Sequence, residues 1–169
     1  MIEILTNIAY IVAFNHATLC PAWTRYDLDP CEVVMTNRAP ISFHADPRVN
    51  TATSEDYAGS GYDRGHMAPA ADFNFDAAAL WETYSYVNVC PQDPKLNRGS
   101  WSRFEREIRE LAPSGRVEIL TFPIWFTGLP TNYVGRVAVP HAFEKIAWGK
   151  FGVRRGLFYN FRSGMVSER

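Results

Sequence analysis

Tyr62-Asp63-Arg64-Gly65-His66-Met67-Ala68-Pro69 places an acid, a guanidinium, a glycine and an imidazole in consecutive positions. The stretch follows directly on a polar segment from Thr36 to Gly61, rich in Pro, Asn, Ser and Gly, which reads as a long excursion and not as a linker between domains. Loops of that kind often carry function. The four residues supply the parts that phosphodiester hydrolysis needs. An imidazole can take a proton from water near neutral pH, a guanidinium grips phosphate oxygens through two parallel hydrogen bonds, and glycine lets backbone approach a ligand closely. The alternative is a charged turn in which Asp63 and Arg64 form a surface pair and His66 is a satisfied turn residue.

Downstream residues complement that stretch. Trp101, Phe104, Ile108 and Leu111 fall on one helical stripe, which predicts a helix starting near Asn97 and ended by Pro113 and Gly115. Asn97, Trp101, Glu105 and Arg109 recur every four residues and border the stripe. Asn97 and Glu105 lie about 12 Å apart along such a helix, too far for both to bind one ion directly. Glu105 leans toward the helix N-terminus, where it can reach a metal-bound water. So sparse a protein shell suits Mg²⁺, which prefers oxygen ligands and keeps several waters. Arg109 stands four residues from Glu105 and can also be read as a helix-surface ion pair.

Working outward, Ile8 to Phe14 and Ala22 to Leu28 are β-rich runs around a turn-like stretch with Asn15, His16 and Pro21, and they predict a hairpin. Met1 to Asn7 predicts a strand ahead of it. Asp76 before Ala77 to Tyr84 predicts a short capped helix, and Tyr86 to Val89 a strand. After the long helix, Val117 to Phe122, Val134 to Val139, Phe143 to Trp148 and Leu157 to Phe161 predict further strands. This order gives an α+β fold with a mixed or antiparallel central sheet, as a single domain over residues 1–169.

Composition is that of a soluble globular chain, with 47% hydrophobic, 14% aromatic and 21% charged residues, so disorder is not expected. A net charge of −1 excludes a stoichiometric coat for nucleic acid. Residues 1–94 carry 12 acids and 4 bases, and residues 95–169 carry 6 acids and 13 bases, −8 against +7. Either that asymmetry builds one basic face or the two sets interleave in space. Cys20, Cys31 and Cys90 show no zinc-ligand spacing. Cys20 and Cys31 could flank a hairpin as a disulfide, but an odd count favours free thiols. The N-terminus has no basic leader and no run is long enough for a membrane span, so a soluble protein without membrane contact is expected, in the cytoplasm.

Asp63-Arg64-Gly65-His66, Asn88, and Asn97-x-x-x-Trp101-x-x-x-Glu105 together resemble the signature of the DNA/RNA non-specific endonucleases, the ββα-metal family that includes the endonuclease G type. The resemblance spans most of the chain. Tyr10 to Leu28 resembles the family's opening hairpin and Val139 to Lys145 its late core strand. It implies a ββα-metal finger with the histidine on the strand side and the metal-binding asparagine on the helix. It further implies that His66 is the general base, that Asn97 is the single protein ligand of Mg²⁺ (Mn²⁺ or another divalent ion substituting), and that Glu105 orients a metal-bound water. Phosphate-binding arginines correspond to Arg64, Arg109 and Arg38. Asn88 matches a supporting polar residue beside the scissile phosphate, and Asp63 a structural support. One position departs from the family: Thr121-Phe122-Pro123 puts a bulky ring near the core where relatives have glycine.

The expectation is a hydrolase that cuts DNA and RNA endonucleolytically with weak sequence preference, since every part addresses the phosphodiester and none reads base edges. DNA and RNA are the expected partners, with a homodimer and a protein inhibitor left open. Two alternatives remain. One is a catalytically inactive nucleic-acid-binding or virion-associated protein of the same fold. The other is a target-specific nuclease of the HNH type, although His16, His44 and His141 lack that spacing.

Overall fold

The computed structural model describes residues 1–33 and 40–161. In chain order these form β1 (Ile2–Thr6), β2 (Tyr10–Asn15), β3 (Cys20–Leu28), α1 (Ser54–Tyr57), β4 (Asp63–His66), α2 (Ala77–Thr83), β5 (Val89–Gln92), α3 (Pro94–Leu96), α4 (Ser102–Leu111), β6 (Val117–Ile124), β7 (Tyr133–Val134), β8 (Val137–Ala138), β9 (Ala142–Gly149) and β10 (Gly152–Tyr159). Six strands make the central sheet in the order β1-β2-β3-β6-β9-β10, every neighbouring pair antiparallel, and β4-β5 and β7-β8 form two small ribbons. The architecture is the expected α+β with an antiparallel central sheet.

Side-chain alternation decides which sheet face is covered. Val12 and Phe14 of β2, Val117 and Ile119 of β6, and Phe143 and Ala147 of β9 are fully buried on one face. Against them α4 and the turn before it lay Trp101 and Ile108, both buried, with the Trp101 ring 5.6 Å from Phe143 and 5.4 Å from Phe158 of β10. Removing a large apolar side chain from water contributes roughly 1.5–3 kcal/mol, so this stripe ties the helix to the sheet. On α2, Asp76 accepts hydrogen bonds from Ala78 N at 2.9 Å and Ala79 N at 2.8 Å, the cap its sequence predicts.

Four expectations need correction. Tyr86–Asn88 is a 3₁₀ turn opened by Ser85, whose hydroxyl accepts from Val87 N, and the strand starts only at Val89. The long helix is not straight from Asn97. Gly99 has non-helical torsions (φ −110°, ψ −107°), so a wide turn over Asn97–Trp101 separates α3 from α4. Val134 to Val139 is not one strand but two short strands reversing at Gly135, which has φ 54°; a Cβ there would lie 2.7 Å from the Asp56 Cα. Phe122 faces away from the core, opposite Glu144, and β6 runs through it to Ile124 with its pairing intact. Cys20, Cys31 and Cys90 are free thiols.

Candidate active site

The Asp63-Arg64-Gly65-His66 stretch is β4, one arm of a ribbon whose register sets Asp63 opposite Gln92 and His66 opposite Val89. Strand alternation puts Arg64 and His66 on one face and Asp63 and Gly65 on the other. Gly65 is needed for close approach, since a Cβ there would meet Gln92 Oε1 at 2.1 Å and Gln92 Cβ at 2.6 Å. On the first face the Phe43 ring lies against both functional side chains, 5.2 Å from the His66 ring and 5.3 Å from the Arg64 guanidinium carbon. Tyr84 meets His66 edge-on at 5.0 Å, and Tyr57 lies 5.5 Å from the Arg64 guanidinium carbon. The aromatic walls fix both side chains, and cation–π contact holds the arginine in place without neutralising it. Arg64 Nε is buried without a hydrogen-bond partner among the described residues.

On the other face Asp63 joins the ribbon to the turn that carries Asn97. Its carboxylate accepts from Asn97 Nδ2 at 2.9 Å and from Arg98 Nε and Nη2 at 2.8 and 2.6 Å. Burial opposes ionisation of Asp63, but the hydrogen bonds from Arg98 and Asn97 outweigh it and hold its carboxyl below the usual carboxylate range. With the donor end of the Asn97 amide held on Asp63, its oxygen is turned away from that pair. Asp93 starts this segment by accepting from Lys95 N and Leu96 N. Asn160 at the end of β10 accepts from Asp93 N at 2.7 Å and donates to Pro91 O and Pro140 O.

Asn88 supports the backbone that leaves His66. It is fully buried, and its side chain is consumed by backbone: Oδ1 accepts from Ala68 N, and Nδ2 donates to Ala68 O and Thr83 O, each at 2.9 Å. Its carbonyl accepts from Met67 N at 2.9 Å. The residue therefore clamps the segment leaving His66.

Glu105 lies on the first turn of α4 and faces inward. Its Oε1 accepts from Lys145 Nζ at 3.1 Å, an ion pair with Lys145 completely buried. Burial, the largest influence, raises the Glu105 pKa against the opposing charge of Lys145, and Asp72 raises it further. Arg109 does not pair with Glu105. Its Nε donates at 2.5 Å to Asp72, whose other oxygen accepts from Tyr26 Oη at 2.6 Å. Arg109 is thus anchored in an ion pair with the buried Asp72, which corrects its reading as a helix-surface pair with Glu105. Arg38 lies outside the described residues.

Sequence reasoning missed Lys145 and Asp72, whose partners lie 40 and 37 residues away along the chain. Strand alternation alone marks Lys145 as unusual, since it puts the lysine on the core face between Phe143 and Ala147. The charge asymmetry resolves in favour of interleaving. Arg98, Arg109, Arg116 and Arg136 from the basic half pair with Asp63, Asp72, Asp27 and Asp56 from the acidic half. The other three histidines are dispersed: His16 bonds Glu3, His44 stacks on Trp81, and His141 bonds Thr131.

The model of the DNA/RNA non-specific endonuclease family matches residues 2–160, and the chain belongs to that family. Nuclease EXOG of Xenopus laevis is 38% identical over 108 residues, covering 62% of this chain and 30% of the relative. Endonuclease G of Bos taurus is 31% identical over 159 residues, covering 85% of this chain and 53% of the relative. The chain thus spans about half the length of Endonuclease G and under a third of EXOG. A crystal structure of the EndoG/EndoGI complex matches the fold with a TM-score of 0.83 at 24% identity, over 95% of this chain and 75% of that one. The relatives correct one expectation. Both are named as mitochondrial proteins, which overturns the expected cytoplasmic location.

Proposed function

We propose that this chain hydrolyses phosphodiester bonds of DNA and RNA endonucleolytically, with a divalent metal, preferentially Mg²⁺, and weak sequence preference. The observation that carries the reading is the face of β4. There His66 and Arg64 project together against Phe43, and the buried Arg64 Nε has no acceptor within the described protein. A phosphate oxygen supplies that acceptor, and an imidazole beside it is placed to deprotonate an attacking water. Asn97 holds the metal through its amide oxygen, with Asp63 fixing the amide from behind. Among the described residues no group of three or more His, Cys, Asp or Glu could hold an ion, so the donor set suits a hydrated, oxygen-preferring cation better than zinc. Bound there, the ion would stabilise charge developing on the phosphate and the leaving oxygen. Glu105 orients water at that position while Lys145 holds its carboxylate from the core side. Arg109, drawn toward Asp72, supports the site's shape and electrostatics. Homodimerisation and inhibition by a partner protein belong to the same proposal.

Purified protein incubated with supercoiled plasmid and with single-stranded RNA tests it. Degradation of both in Mg²⁺ and of neither with chelator is expected; intact substrates in Mg²⁺ would refute the activity, and a few discrete fragments would refute the weak preference. Asn97→Ala should shift the Mg²⁺ titration to higher concentration, and an unchanged titration removes Asn97 from the metal.

A further inference from the structure

We infer that Lys145 is a positioning residue that fixes His66 and Glu105 relative to one another; the catalytic part of this role rests on the nuclease reading above. Lys145 lies on β9, paired with Thr121 of β6 and Gly156 of β10, and its side chain points into the core with no exposure. Its ammonium donates to Met67 O at 2.9 Å and Glu105 Oε1 at 3.1 Å, and sits 4.7 Å from the centroid of the Trp101 ring. Met67 directly follows His66, so one buried cation touches the backbone that carries the proposed base and the carboxylate proposed to orient water.

The surrounding bonds show why this contact has little slack. Met67 N donates to Asn88 O, Ala68 N to Asn88 Oδ1, and Ala68 O accepts from Asn88 Nδ2. Lys145 fills the remaining position, Met67 O, so every backbone polar group of Met67 and Ala68 is paired. Three of the four bonds go to one residue of the adjoining turn. The fourth comes from across the core and is shared with α4. Stability alone does not call for a lysine there. Burying an ammonium costs several kcal/mol before pairing, and exchanging a buried ion pair for apolar side chains of similar volume is often neutral or stabilising. What the lysine adds is a fixed distance between β4's exit and Glu105, which belong to separate elements of the chain.

The test uses Lys145→Met, which keeps the volume and removes the donor, alone and combined with Glu105→Gln. One readout is independent of activity: amide exchange at Met67 and Ala68, followed by NMR, should quicken by roughly 5–10-fold on loss of one buried hydrogen bond. In plasmid cleavage Lys145→Met should lower kcat by roughly 10²-fold, the penalty of a small misplacement, with KM within about threefold. The double variant should be slower than Glu105→Gln alone by less than the full Lys145→Met penalty, because part of that penalty acts through the shared carboxylate and the rest through Met67 O. Unchanged exchange, a loss confined to KM, or penalties that multiply in the double variant would each overturn the inference. Should Lys145→Met fail to fold, Lys145→Gln keeps a donor for Met67 and removes the charge facing Glu105; it should retain slow exchange and lose kcat, and an unaltered kcat would overturn the role. If wild type cuts neither DNA nor RNA while exchange still responds, the nuclease reading fails and the positioning stands.

Discussion

Asn88→Ala probes the clamp behind His66. The substitution removes the partner of three backbone groups at once: Ala68 N, Ala68 O and Thr83 O. Each buried group left unsatisfied costs about 1–3 kcal/mol, with water able to reach some of them once the side chain is shortened. The expected loss is therefore about 3–6 kcal/mol, a large share of the roughly 5–15 kcal/mol that holds a typical domain together. Asn88→Asp sharpens the test. It keeps the acceptor for Ala68 N but turns an oxygen toward two carbonyls, so at neutral pH it should lose at least as much as the alanine variant. Urea unfolding followed by circular dichroism at 25 °C, with the slope checked for constancy, measures both. A loss under about 1 kcal/mol for Asn88→Ala would refute the clamp and return Asn88 to the list of residues free to meet substrate.

Two other substitutions and a pH series test the electrostatic part. Arg109→Met strands Asp72, whose side chain is 1% exposed, and should cost about 3–5 kcal/mol in urea unfolding; adding Asp72→Asn should recover part of it, and no recovery would deny the pair its role. Asp56 is depressed to about 2, chiefly by its hydrogen bond from Arg136. Asp63 is lowered as well, burial opposing and Arg98 with Asn97 prevailing. Because these folded values lie below the unfolded one, their stabilisation is complete above about pH 4 and is lost as pH falls toward 2. Melting temperatures across that window should fall less steeply in Asp56→Asn than in wild type, and parallel curves would contradict the assignment.

Much of the fold could be read from local pattern. The β2–β3 hairpin, the α2 cap at Asp76 and the Trp101–Phe104–Ile108 stripe each follow from period and capping, which a sequence shows directly. The failures share a cause. Tyr86–Asn88 has the composition of a strand, but Ser85 offers its hydroxyl to Val87 N, and the backbone on either side of Ser85 bonds His44 far upstream. Gly99 is an unremarkable glycine in sequence, and its kink lies between two anchors that only folding supplies, Asp63 bonding Asn97 and Arg98 on one side and the core holding Trp101 on the other. His66, Arg64 and Asn97 stand out as candidates because they fall in a short motif and a spacing, and folding sets Arg64 and His66 on one face and Asn97 against Asp63. For Asn88 and Arg109 the partners, Ala68 and Thr83 for one and Asp72 for the other, are supplied only by folding. Lys145 was hidden for the same reason: nothing near it in sequence announces Met67 O or Glu105.

The most direct measurement is plasmid cleavage by wild type and His66→Ala at equal Mg²⁺ concentration, with melting temperatures taken on the same samples. The account predicts a rate lower by roughly 10²–10⁴-fold, the usual worth of a positioned base, with little change in melting temperature. Cleavage by His66→Ala at the wild-type rate would contradict it.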